Sequence, residues 1–89
     1  MTATGHGRSG PLDKQLRKQW GAEVRRRRVE MGLSQVEFAL KAGVQQTTVS
    51  RVERGMHAGT AETRLALARA CGVEVYELFP YPLTTEAAS

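Results

Sequence analysis

The 89 residues predict an all-α fold, a bundle of about five short helices, and three observations carry that expectation. Apolar residues recur at three- and four-residue steps, and no stretch alternates apolar with polar in the manner of a strand. Gly32, Gly43, Gly55 and Gly72 each stand just past the end of one of these periodic segments, where a helix stops. The stretch Leu33 to Gly55, LSQVEFALKAGVQQTTVSRVERG, reads as two short helices joined by a tight turn.

Residues 1–11 are small, polar and glycine-rich, with nothing to bury, and are expected to form a flexible tail. Pro11 suits a first helical position. Leu12, Leu16, Trp20, Val24 and Met31 then mark one helix, ended by Gly32. Gly21 weakens it, so the part before Trp20 is expected to fray or form a separate turn. Ser34 with Glu37 fits a capping box at the start of the second helix. Gly43 lies where the chain must reverse, and Ala39 is small enough to let two helices approach. Val36, Phe38, Ala42, Val49 and Val52 are expected to form the seam between them. The third helix runs from about Gln46 to Arg54. Met56 to Gly59 is a loop, Thr60 caps a fourth helix over Ala61 to Cys71, and a short fifth helix, Val75 to Phe79, stops at Pro80. One domain over 12–80 and a tail over 81–89 complete the expected organisation.

Composition narrows the function. There is no apolar run long enough to span a bilayer, and the start, MTATGHGRSG, does not read as a signal peptide, so a cytoplasmic protein with no membrane role is expected. The single cysteine, Cys71, has no disulfide partner and reads as a small buried apolar residue. No Cys/His cluster suggests a metal. His6 and His57 have no nucleophile or ligand companion nearby, and no carboxylate pair or phosphate-cradling glycine loop is present. Neither catalysis nor a cofactor is expected. The net charge of +4 is unevenly distributed: residues 1–59 hold eleven of the 13 Lys and Arg but five of the nine acids, whereas 60–89 hold two cations and four acids. Such asymmetry suits a molecule with one end on phosphate.

The third helix has the residues for nucleic-acid contact. Gln46, Thr47, Ser50 and Arg51 face outward on it, and none is acidic. Such side chains can hydrogen-bond to base edges in a DNA major groove. Ser34 and Gln35 lie at a helix N-terminus, where free backbone N–H groups favour an anion. Arg54 adds a cation, and His57 lies in the loop beyond it. In the run Arg25 to Arg28 successive residues turn by about 100° and cannot share one face. Arg25 and Arg26 are expected in solvent, with phosphate contact by the run left open, and Arg28 leans toward the core. Glu53, near the C-terminal end of the third helix, is disfavoured by the helix dipole and by DNA phosphate, so an inward pair with Arg28 relieves both. The segment LFPYPL carries apolar residues past the last helix and has two open readings: a lid over the chain's own core, or a dimer seam. The second assigns Val75, Leu78, Phe79, Tyr81 and Leu83 to the seam.

From Trp20 to Phe79, on RRRRVEMGLSQVEFALKAGVQQTTVSRVERG and LALARACGVEVYELF, the chain resembles the Cro/repressor-type helix-turn-helix family, which includes lambdoid phage repressors, restriction–modification controller proteins and many bacterial regulators. The resemblance implies a five-helix bundle binding double-stranded DNA as a homodimer. It implies that Gln35 touches phosphate and buttresses a base-reading side chain, that Gln46 and Thr47 are the first base contacts, and that Ser50 and Arg51 are the next. Arg54 and the loop after Gly55 match backbone contacts, and Arg28 and Glu53 match an internal salt bridge. Two departures stand out. Gln45 replaces the usual serine or threonine cap, and Arg64 replaces a leucine of the fourth helix, leaving Leu65 and Leu67 to supply that packing. A sequence-specific transcriptional regulator, by default a repressor, is the expected function. An antitoxin or a protein-interaction adaptor on the same fold is the alternative, with RNA polymerase or a toxin as a further candidate partner.

Overall fold

Side-chain caps set where three of the helices begin. Asp13 Oδ1 accepts from Leu16 N, Ser34 Oγ from Glu37 N, and Thr60 Oγ1 from Thr63 N, each taking up a backbone donor that has no partner inside its helix. A computed structural model of the chain describes residues 13–81 as α1 (Lys14–Glu30), α2 (Gln35–Ala42), α3 (Gln46–Glu53), α4 (Ala61–Cys71) and α5 (Val75–Leu78). The expected all-α bundle of five helices is what forms. The first described helix begins at Lys14 with Asp13 as its cap; the expectation at Pro11, and Leu12, His6 and Leu83, lie outside the described residues.

The helix ends follow the glycines. Gly43 takes φ 75°, a left-handed conformation that costs glycine nothing, and the N–H groups of Gly43 and Val44 reach back to Leu40 O and Ala39 O. This closure makes the α2–α3 turn. The same pair of reversed bonds ends α1, α3 and α4 at Gly32, Gly55 and Gly72.

One core holds the bundle together. Leu16, Trp20 and Val24 of α1 meet Phe38 and Ala39 of α2, Val49 and Val52 of α3, Leu67, Ala68 and Ala70 of α4, and Leu78 and Phe79. α3 packs on both α1 and α2, and α4 packs on α2, α5 and α1. The expected seam is right for Phe38, Val49 and Val52, and Ala42 is partly buried, but Val36 is 55% exposed. Residues two apart on a helix point about 200° apart, so Val36 and Phe38 cannot share a face.

Gly21 does not fray α1. It is buried in an unbroken helix, and a Cβ there would lie 2.3 Å from Val52 O and 2.5 Å from Glu53 O. Its missing side chain is what lets α1 touch the C-terminal end of α3. Arg64 also finds a defined place. Its guanidinium lies 5.5 Å from the centre of the Trp20 ring, and Nη1 donates to Gly59 O at 2.8 Å. The flat cation lies over the indole face, while the charge keeps hydrogen-bond partners at Ala58 O and Gly59 O. Leu67 supplies the expected packing of α4; Leu65 does not and is exposed. Cys71 is half-buried against the core, and burial pushes its thiol above the ordinary range.

The segment after α5 behaves as a lid. Leu78 and Phe79 are fully buried in the chain's own core. Trp20 stacks edge-on against both Phe79 and Tyr81, with 5.4 Å between ring centres in each pair, and its Nε1–H donates to Pro80 O at 2.7 Å. Leu78 and Phe79 are therefore withdrawn from the dimer seam the sequence suggested for them. Apolar side chains that close their own core are not available to a second copy. Val75 is partly buried, and Tyr81 keeps an exposed edge.

Candidate nucleic-acid interface

Two short helices and the turn between them create the site. The turn at Gly43 brings the N-terminus of α2 beside that of α3, so Gln35 and Gln46, eleven residues apart, meet directly. Gln46 Nε2 donates to Gln35 Oε1 at 2.8 Å. Around this pair Thr47 and Arg51 are exposed and Ser50 is half-exposed, and their side chains make no hydrogen bond or ion pair with the described residues. Gln45 gives α3 no side-chain cap, as the departure at that position implied. The first backbone N–H groups of α3 therefore keep their donor capacity for an outside acceptor.

The underside of the same surface is ionic. Arg28 and Glu53 form a two-pronged pair, with Nε donating to Oε2 at 2.6 Å and Nη2 to Oε1 at 3.0 Å. Their side chains are only 11% and 3% exposed. Arg28 Nη1 also donates to Leu33 O, tying the pair to the turn between α1 and α2. The hydrogen bond from Arg28 to Glu53 holds the guanidinium above its ordinary range against the opposing effect of burial. Gln35 Nε2 donates to Glu53 Oε1 at 3.0 Å, so the ion pair is continuous with the Gln35–Gln46 contact. No local pattern could have shown this third link, because it joins residues 18 positions apart across the reversal of the chain.

The remaining candidates are spread around this centre. Ser34 is engaged in the capping box, its N–H donating to Glu37 Oε1 while its Oγ accepts from Glu37 N. Arg54 is exposed at the C-terminal end of α3. His57 is half-buried, and its Nδ1 accepts from Gly59 N at 3.1 Å. An open groove beside this loop is lined by Arg17, Thr48, Met56, His57, Thr60 and Thr63. Arg17, which the sequence did not single out, donates from Nε to Gly55 O and so anchors the end of α3 to α1. The arginine run divides by face. Arg26 pairs with Glu23 and Glu30, Arg27 pairs with Glu23, Arg28 turns inward, and Arg25 remains exposed. These contacts, Arg26 foremost, hold the Glu23 carboxyl below the usual carboxylate range. Most of the run is thus engaged by carboxylates.

The ion pair predicts a non-additive response. Arg28→Met alone strands the Glu53 carboxylate and is expected to cost about 2 kcal/mol or more. The double change Arg28→Met with Glu53→Leu is expected to cost less than that single change, because no buried charge is left without a partner. Urea melts of the two single variants and the double complete the cycle. Additive losses would mean that the two side chains do not interact.

Comparison with known proteins agrees with the geometry. A helix-turn-helix family model matches residues 24–78. Among solved structures, the restriction–modification controller protein C.AhdI from Aeromonas hydrophila is 35% identical with a TM-score of 0.67, over 71% of this chain and 96% of its own. The DNA-binding domain of BldD from S. venezulae is also 35% identical, with a TM-score of 0.65, over 74% and 99%. A hypothetical transcription factor, NHTF, from Neisseria is 33% identical with a TM-score of 0.69, over 86% and 90%. No curated protein matches by sequence.

Proposed function

The chain belongs to the Cro/repressor-type helix-turn-helix family, and from that premise we infer that it is a sequence-specific regulator of transcription that binds double-stranded DNA as a homodimer. The observation that carries this reading is the outer face of α3. There Gln46 is held in place by Gln35, while Thr47, Ser50 and Arg51 have no partner among the described residues to compete with a base. Two of these side chains have the geometry for bidentate readout: glutamine on adenine and arginine on guanine. Phosphate contacts by Ser34, Gln35, Arg54 and the loop at His57 supply the sequence-independent part of the affinity. Gln35 retains one N–H for that purpose after its bond to Glu53. Repression by occupying promoter DNA is the regulatory outcome we propose for such a face.

The homodimer reading draws on the acidic end of the chain, away from phosphate. Leu78 and Phe79 are spent on the core, and among the described residues of that end Leu65 of α4, Tyr76 of α5 and Tyr81 are the exposed apolar side chains placed to meet a second copy. Selection of bound duplexes from a random pool tests both parts. A palindrome with half-sites about one helical turn apart is expected. Gln46→Ala and Arg51→Ala should each cost roughly 1–3 kcal/mol at one matched base pair and relax the preference there. An unchanged motif for both variants would remove the assignment, and an asymmetric single site would remove the dimer.

Arg54 answers to a different measurement. Arg54→Ala is expected to weaken specific and non-specific duplexes alike and to lower the slope of log affinity against log salt by about one. A changed motif with an unchanged slope would place Arg54 among the base readers.

A further inference from the structure

The hydrogen bonds beneath α3 run in one direction. Glu53 is a carboxylate and can only accept. Its two oxygens take Arg28 Nε and Nη2, and Oε1 also takes a donor from Gln35. Gln35 must therefore turn its NH2 group toward Glu53, which leaves its oxygen facing Gln46. That oxygen needs a donor, so Gln46 must turn its own NH2 group toward Gln35. What remains of the Gln46 amide is a free oxygen and one N–H. This is the complement of adenine, which offers the N6 amino group as donor and N7 as acceptor. The opposite orientation would turn both N–H donors outward, which suits the paired acceptors N7 and O6 of guanine.

We propose that Glu53 is a positioning residue for base recognition: by fixing the polarity of the Gln35 and Gln46 amides in turn, it makes Gln46 select adenine over guanine. The inference rests on the reading of Gln46 as a base contact and adds a determinant that touches no base. A surface glutamine without this constraint can rotate its amide by half a turn and present either pattern. Here the last link is anchored to a charged, bidentate pair that is almost entirely buried, and charge-assisted bonds of this kind are the stronger ones. The order of the network is also the reason a structural ion pair can influence specificity. Glutamine in place of Glu53 offers both an oxygen and an NH2 group, so the first constraint disappears and both amide chains downstream become reversible.

The test uses the full chain and two duplexes that differ only in A·T or G·C at the base pair Gln46 reads, identified by comparing motifs selected by wild type and Gln46→Ala. Wild type is expected to prefer A·T by roughly tenfold. Glu53→Gln and Gln35→Met should each reduce that ratio by about fivefold or more, with preferences at the other base pairs retained. Gln35→Met leaves the ion pair intact, so it decides the matter if Glu53→Gln does not fold by circular dichroism. Loss of affinity equal for both duplexes, with the A-over-G ratio kept in the folded variants, would mean a purely structural role and would overturn the proposal while leaving Gln46 a base reader. A wild-type preference for guanine at this base pair would overturn it as well. If Gln46→Ala selects the wild-type motif, the reading of Gln46 itself fails, and the proposal falls with it for that separate reason.

Discussion

Gly21→Ala is expected to destabilise the domain by about 3 kcal/mol, at the upper end of what overpacking costs. Helix propensity alone gives the opposite sign, since alanine inside a helix is favoured over glycine by roughly 1 kcal/mol. The contact decides the outcome. The new methyl carbon would fall 2.3 Å from Val52 O and 2.5 Å from Glu53 O, both backbone atoms that cannot swing aside. Relief requires α1 and α3 to separate, which opens the core cluster and displaces Glu53 from its pair with Arg28. For a domain of this size the melting temperature should fall by roughly 12 °C or more. A thermal melt followed at 222 nm measures it. A variant as stable as wild type would show that the two helices do not approach so closely.

Phe79→Ala is expected to cost about 3–5 kcal/mol, as for other buried aromatic residues reduced to alanine. The side chain is 1% exposed and stacks edge-on against Trp20 with an interplanar angle of 82°. Removing it empties the space beneath the lid and loosens the Nε1–H bond from Trp20 to Pro80. Since Trp20 is the only tryptophan, its fluorescence reports on that site alone. An early, red-shifted unfolding transition in urea is expected. Tyr81→Ala should cost far less, about 1 kcal/mol, because Tyr81 contributes one ring contact from an exposed position. If Phe79→Ala instead left the melt unchanged and produced a monomer from a dimer, the residue would belong to a subunit seam after all.

These two residues mark where reading the chain residue by residue succeeds and where it stops. The helix ends were legible because their causes are local. A cap at Ser34 or Thr60 and a left-handed glycine at Gly43 act over three to six residues, and the structure has each of them where the spacing indicates. The Arg28–Glu53 pair was also legible despite a separation of 25 residues, because an anion near a helix C-terminus is disfavoured by the helix dipole and has reason to turn inward to a cation. The outward face of α3 followed from periodicity alone.

Other features required the packed structure. Gly21 read as a weak point in α1 because propensity is a property of one helix, whereas its use is a property of two helices in contact. Val36 was assigned to the core on hydrophobicity, and its angular position relative to Phe38 put it outside. Arg64 seemed to break the fourth helix's pattern until the Trp20 ring and the Gly59 carbonyl were found around it. Phe79 had two open readings, a lid or a seam, and Leu78 was assigned to the seam, since hydrophobicity does not say which apolar surface a side chain will meet. The order of contacts from Arg28 through Glu53 and Gln35 to Gln46 was likewise hidden in part: its members could be named, but not the direction in which their donors point.

By itself, then, the chain determined the five helices, the caps and glycines at which most of them begin or end, and the face that α3 leaves outward, because capping, glycine conformations and helical periodicity are short-range and depend on neighbours in sequence. Only the tertiary structure decided how closely α1 approaches α3, which end of the chain closes over Trp20, and how Glu53 orients two glutamine amides. Those outcomes depend on distances and donor directions between residues that become neighbours only after the chain has reversed at Gly43 and packed.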